Sequence, residues 1–307
     1  MISSLSKIFL IMTGMLVSVL FLQVPFSGAA VKFRHITSVY TDDKGMPLMQ
    51  PEGVACNNKS ILFVADTGNG RLLRYTFKDE AIEAGAVEIK ADQLWYPSKM
   101  KINSKGEIYV LDGKQRTIIR MTPAGEFKNY LAPTGLPSPA SYVPRNFTIG
   151  MKDDIYILDI FSQRVLVLDP EGIYLRQIPF PKEYGFFSDV AVDSRGSVLL
   201  IDSSNAMVYA AAKDSASFSP LAESLREYMR FPTSLTTDNR GRIYLVDRNG
   251  GSIIILGQDG SFLRRQSGLG LKEGRLNYPS QLCINNKGEA FIADTNNSRV
   301  QIFEMVE

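Results

Sequence analysis

The sequence predicts an all-β chain, a six-bladed β-propeller of four-stranded blades whose ring is closed by an N-terminal strand. Three observations predict it. A short apolar strand recurs at 61–66, 108–112, 155–159, 198–202, 243–247 and 290–294, each time ending in aspartate. Those aspartates, Asp66, Asp112, Asp159, Asp202, Asp247 and Asp294, follow one another at intervals of 46, 47, 43, 45 and 47 residues. Fifteen residues before each stands Pro51, Pro97, Pro144, Phe187, Pro232 or Pro279, so proline holds this place in every unit but the fourth. Repeats of this length, with apolar runs for four strands, match the size of a propeller blade.

The elements follow in order within each unit. A first strand starts at the proline. The aspartate-ending strand is second. A third follows the turn, at 71–75, 117–121, 164–168, 207–211, 252–256 and 299–303. Turns such as 169–172 (Asp-Pro-Glu-Gly) then lead to a fourth. Six such units occupy nearly all of 31–307 and leave no room for a second domain. The last unit has no fourth strand of its own. The segment 31–40 supplies one, which hides the sheet edges of an open array and puts His35 in an outer strand. The fourth unit departs most, with Phe187 for proline, Met207 where other units carry arginine, and a long tail over 214–230. Ser219-Pro220 there opens either a short helix or a fourth strand with a long connector.

Lys7, an apolar run over 8–24, the break at Pro25 and small residues at 27–30 read as a signal peptide over 1–30, with an uncleaved membrane anchor as the alternative. Residues 31–307 are then exported, to a periplasm or the extracellular space. Hydrophobic residues at 45% and charged residues at 21% describe globular material. Lys plus Arg number 34 against 32 Asp plus Glu, a balance that argues against nucleic-acid binding. One histidine and two cysteines exclude a multi-histidine zinc site, a Ser/His/Asp triad within the ring and a cysteine-rich zinc module. No phosphate loop, dinucleotide fingerprint or heme-attachment motif is present.

Residues 268–279 (GLGLKEGRLNYP), Asn286-Lys287-Gly288 and 291–303 (FIADTNNSRVQIF) resemble the NHL repeat, and 66–71 (DTGNGR) repeats its centre. The resemblance extends over all six units. It implies the six-bladed fold but no single activity, because such propellers include binding scaffolds, lyases and lactonases. The lyases need several histidine ligands for zinc, and only His35 exists here.

Alternation along the first strand sorts its residues. Val54, Met100, Phe147, Val190, Leu235 and Leu282 pack between blades; Gly53, Lys99, Asn146, Asp189, Ser234 and Gln281 face the central channel, with Glu52 and Arg145 one step nearer its mouth. Lys99, Arg145, Asn146, Asp189, Ser234 and Gln281 are therefore the candidate binding residues, unless the channel is polar simply because water fills it. The aromatic residues Tyr96, Phe186, Phe231 and Tyr278 precede first strands and either rim that mouth or wedge between blades. The loop 132–143 is placed to overhang it. The six aspartates and Arg71, Arg164 and Arg299 recur with the repeat and are read as turn braces.

The leading expectation is a non-catalytic, monomeric binding scaffold without cofactor, engaging an extracytoplasmic protein or small ligand through the channel-entrance face and touching a membrane only through residues 1–30. The alternative is a calcium-dependent lactonase or esterase. The resemblance to lactonase-type propellers, which use Glu, Asn and Asp around a central calcium, makes Glu52, Asn146 and Asp189 its metal ligands. Cys56 and Cys283 fall in first strands of the first and last units with registers one residue apart. They are expected to remain free thiols, with a disulfide the alternative open to an exported chain.

Overall fold

The computed structural model describes residues 31–307, so the signal peptide or anchor expected over 1–30 lies outside the described residues. Six antiparallel sheets follow one another in chain order as blades one to six. Their first strands are Gly53–Cys56, Pro97–Ile102, Pro144–Ile149, Phe187–Val192, Pro232–Thr237 and Pro279–Ile284. Each second strand ends at its aspartate, and the third strand pairs back along it. In blade six the outer strand is Lys32–Val39, antiparallel to Arg299–Val306 with His35 opposite Phe303. The first and last segments thus share one sheet. In blade four the outer strand is only Ser219–Pro220. The tail beyond it is connector rather than helix, and it buries Leu225 and Met229 against Leu235, Ile243 and Leu245 of blade five.

Packing follows the alternation of the first strands. Val54, Met100, Phe147, Val190, Leu235 and Leu282 are all at most 2% exposed. Each joins a cluster built from the second and third strands of neighbouring blades, such as Met100 with Phe63, Ala65 and Leu72. A buried side chain of this size stabilises the fold by about 1.5–3 kcal/mol.

The six aspartates are completely buried and hold the polar framework together. Asp112 accepts backbone N–H groups of Trp95 and Tyr96, both at 2.7 Å, and of Lys114 and Gln115 on the following turn. Asp202 does the same for Gly185, Phe186, Ser204 and Asn205. Asp66, Asp159, Asp247 and Asp294 grip Met49, Val143, Phe231 and Asn277 in the equivalent connectors. Burial alone would raise the Asp202 pKa; the N–H groups of Gly185, Phe186 and Asn205 outweigh it and hold the carboxyl below its usual range. Space around the carboxylate is tight. A Cβ at Gly250 would stand 2.0 Å from Asp247 Oδ2, so only glycine fits there.

Arg71, Arg164 and Arg299 donate Nε to Asp66, Asp159 and Asp294 at 2.8, 3.0 and 2.7 Å, as the repeat predicted. Arg71 also reaches Asp42 and Glu88, tying the N-terminal segment to blade one. Neighbouring blades are stitched by hydroxyls one residue after the aspartate. Thr67 donates to the Pro97 carbonyl at 2.7 Å, Thr295 to the Pro51 carbonyl at 2.9 Å, and Ser203 to the Pro232 carbonyl.

The expected free thiols are corrected: Cys56 and Cys283 form a disulfide, their Cα atoms 6.0 Å apart. The one-residue offset is what lets them meet. Cys283 pairs with Phe291 and Cys56 with Leu62, one ladder step further along the neighbouring blade. The first strands of blades one and six lie side by side, so the two cysteines converge across the seam. The bond closes a ring already closed by Lys32–Val39.

Two stability predictions follow from these contacts. Cross-linking residues 227 apart restricts the unfolded chain strongly, so Cys56→Ser with Cys283→Ser should cost about 2–5 kcal/mol. By calorimetry this lowers the melting temperature by roughly 5–15 °C; an unchanged value would show that the outer strand alone holds the ring. Asp112→Ala strands four N–H groups and should destabilise by about 3 kcal/mol or more in urea titration. A cost below about 1 kcal/mol would remove the aspartate from its framework role.

Candidate functional site

Most channel-facing side chains bridge blades. Gln281 reaches from blade six past blade one to blade two: its Oε1 accepts the N–H groups of Val54 at 3.2 Å and Met100 at 3.3 Å, and its Nε2 donates to the Met100 carbonyl. Nearby, glycine at 53 lets blades one and two pack closely, since a Cβ there would stand 2.9 Å from Ala65 Cβ and 3.1 Å from the Ser98 carbonyl oxygen. Lys99 Nζ donates to the Ser280 carbonyl at 2.6 Å, again from blade two to blade six. Asn146 donates to the Ser188 carbonyl, and its Oδ1 accepts the Phe147 N–H. Asp189 accepts from Val190 N–H, Leu235 N–H and Ser234 Oγ, each at 2.8 Å. Lys101 lies deeper in the channel. Burial lowers the pKa of both lysines, and Asp189 opposes the shift.

Above this polar throat is a mouth of about 340 Å³, bordered by residues from blades one to five. Glu52, Tyr96, Lys99, Arg116, Arg145, Asn146, Ile160 and Arg248 line it. Tyr96 donates its hydroxyl to Glu52 at 3.0 Å. The Arg145 guanidinium sits 4.5 Å over the Phe186 ring, and that of Arg248 6.0 Å from the Tyr278 ring. Tyr96 and Tyr278 are 42% and 41% exposed, so both present ring surface at the rim.

The sequence candidates therefore divide. Glu52, Tyr96, Lys99, Arg145 and Asn146 come together at the mouth, with Phe186 and Tyr278 beneath its arginines. Gln281, Asp189 and Ser234 lie in bridges within the throat. Phe231 is half-buried and gives its N–H to Asp247. Of the segment 132–143, Val143 borders the mouth, while Arg164 holds the Pro139 carbonyl away from it. Of the three calcium candidates, Glu52 and Asn146 line the mouth, whereas Asp189 has both carboxylate oxygens engaged by blades four and five. Asp189 does not line the mouth with the other two, and a calcium ion at it would compete with three donors, so the three do not form a calcium set as they stand. Among the described residues no group of three His, Cys, Asp or Glu side chains is placed to hold a metal. His35 packs edge-on to Phe303 in the outermost strand.

Arg116, Ile160 and Arg248 were not expected, although the repeat marks Ile160 and Arg248. The position after the aspartate carries a stitching hydroxyl at Thr67, Ser203 and Thr295, but Gly113, Ile160 and Arg248 in the other blades, and all three line the mouth. The position after the proline carries Ser98, Ser188, Thr233 and Ser280, but Glu52 and Arg145 in blades one and three. At the opposite end of the channel the repeat is kept in five blades: Asn57, Asn103, Asp193, Asp238 and Asn285 each cap a hairpin turn in the same way, and only Gly150 in blade three does not.

Residues 276–303 match the NHL repeat model. One NHL repeat is thus recognised, in the sixth blade. The chain is 32% identical over 76 residues to the human NHL repeat-containing protein 3, a match covering 24% of this chain and 22% of that protein's length. It superposes on gluconolactonase from Xanthomonas campestris with a TM-score of 0.65 at 12% identity, covering 88% of this chain and 89% of that one. It also superposes on a catalytically inactive histidine-to-alanine variant of virginiamycin B lyase from Staphylococcus aureus, crystallised with quinupristin. There the TM-score is 0.62 at 14% identity, over 90% of this chain and 100% of that one. One fold thus serves hydrolase and lyase, and the fold alone does not choose between them.

Burial raises the Asp189 pKa above its ordinary value, although Lys101 and Lys99 pull it back. The folded chain holds this proton more tightly than the unfolded one. The stability it contributes is complete below the unfolded carboxylate pKa and is lost as pH rises through the raised folded value. Asp189→Asn cannot titrate. The melting temperature of the variant relative to wild type should therefore climb as pH rises from about 4; a flat or falling difference would show that Asp189 does not titrate from within the channel.

Proposed function

We propose that this protein is an exported, non-catalytic binding scaffold that acts as a monomer and engages its ligand or partner at the channel mouth. One observation carries the proposal. The repeat is broken at the mouth, where Glu52, Arg145, Ile160 and Arg248 replace residues that elsewhere stitch blades together. Side chains released from a structural role and turned toward a cavity suit recognition. The throat below is spent on bridges between blades, which leaves it little to offer a reacting group.

Export is supported by the leader-like composition of residues 1–30 and by the disulfide between blades one and six, a bond that persists in oxidising compartments. A monomer is supported by ring closure, since the shared sheet of blade six leaves no open edge between first and last segments. The second reading, a calcium-dependent lactonase, has the presence of Glu52 and Asn146 at the same mouth in its favour.

The test compares the full chain with Tyr96→Ala/Tyr278→Ala, altered at the mouth, and Met151→Ala, altered at the other end of the channel. Affinity capture from the extracytoplasmic fraction of the source organism should lose its specific partner with the first and keep it with the second. Lactone hydrolysis should be absent with or without calcium. A calcium-dependent rise in melting temperature and lactone turnover, both lost in Asp189→Ala, would overturn the scaffold in favour of the hydrolase.

A further inference from the structure

Of the charged side chains lining the mouth, four are cations and one is an anion: Lys99, Arg116, Arg145 and Arg248 against Glu52. The three fully buried arginines pair with carboxylates, Arg71 with Asp66, Arg164 with Asp159 and Arg299 with Asp294. The mouth arginines, exposed at 116 and 145 and half-buried at 248, do not. Among the described residues, Arg116, Arg145 and Arg248 have no carboxylate within ion-pair distance, and Glu52 receives the Tyr96 hydroxyl instead. Partial enclosure, and then the like charge of Arg116, lower the Arg145 pKa. One carboxylate does not balance four cations, so they repel one another, and the arrangement is relieved by an anion from outside.

The surroundings narrow the kind of anion. Arg145 lies over Phe186 and Arg248 near Tyr278. A guanidinium resting on a ring face keeps its N–H fork in its own plane, the geometry that grips a planar carboxylate through two parallel bonds. Tyr96 and Ile160 add apolar surface beside the arginines, which suits an organic body rather than a bare inorganic ion. A cavity of about 340 Å³ holds a ligand of small-molecule size or the end of a peptide.

We propose that the channel mouth is a receptor site for an organic carboxylate, bound by Arg145 and Arg248 with Arg116 and Lys99 completing the positive field. This rests on the mouth being the binding face and names what it binds. A free polycarboxylate and an acidic peptide segment offer the same chemistry, and the test separates them.

Isothermal titration of the full chain would use citrate, an acetylated tri-glutamate peptide, a tri-glutamine control and inorganic phosphate. Saturable binding of citrate or tri-glutamate is expected, with none for tri-glutamine. Arg145→Gln and Arg248→Gln should each weaken it on the order of tenfold, while Arg195→Gln, remote from the mouth, leaves it unchanged. Preference for citrate assigns a free small molecule; preference for tri-glutamate assigns an acidic segment of a protein. No saturable binding of either at millimolar concentration, phosphate binding more tightly than both, or binding undiminished in Arg145→Gln/Arg248→Gln would overturn the carboxylate site. The scaffold reading fails on different results, lactone turnover or partner capture indifferent to the mouth, so the two failures are distinguishable. Unchanged thermal melting of both arginine variants keeps lost binding separate from lost folding.

Discussion

Every blade depends on one buried carboxylate. The aspartate at the end of the second strand accepts N–H groups from the connector that arrived sixteen or seventeen residues earlier. It thereby fixes where the first strand begins, and with it which side chains meet the channel. In most blades it also holds the turn into the third strand. A fully buried carboxylate is tolerable only when such donors surround it. The connectors, not the strands alone, therefore set the geometry of the mouth.

Closure of the ring is overdetermined. Hydrogen bonding between the outer strand and blade six, hydroxyl stitches between neighbours, Gln281 spanning two blade boundaries and a covalent bond across the seam act at different radii. A six-membered ring of sheets has no central core of its own. Its apolar contacts lie between blades, so anything that opens one seam exposes a full blade face to water. Multiple closures at the seam between blades one and six protect the place where the chain's two ends meet.

Repetition supplies a reference against which the site stands out. Positions that act alike in every blade carry the fold: the aspartate and the interblade apolar residue. Positions that change character between blades, and change toward arginine, tyrosine or isoleucine around one cavity, are the ones on which the proposed binding role rests. This explains why Glu52, Tyr96, Lys99 and Arg145 could be found from spacing, while Arg116 and Arg248 were hidden. They follow the aspartate within turns that elsewhere look structural, and their turn toward the mouth depends on how each blade tilts.

The sequence by itself determined the fold class, the blade count, the strand order, the closing role of residues 31–40 and the irregularity of the fourth unit. Those features depend on local periodicity and turn chemistry, which repeat often enough to be read without coordinates. Tertiary structure decided what depends on distance between blades: that offset cysteines meet, that Gln281 reaches past blade one to blade two, that Asp189 faces its neighbour blade, and that three arginines from blades two, three and five share one mouth. Such contacts join residues far apart along the chain. Their geometry follows from the angle and spacing at which neighbouring sheets pack, quantities to which no short stretch of sequence is sensitive.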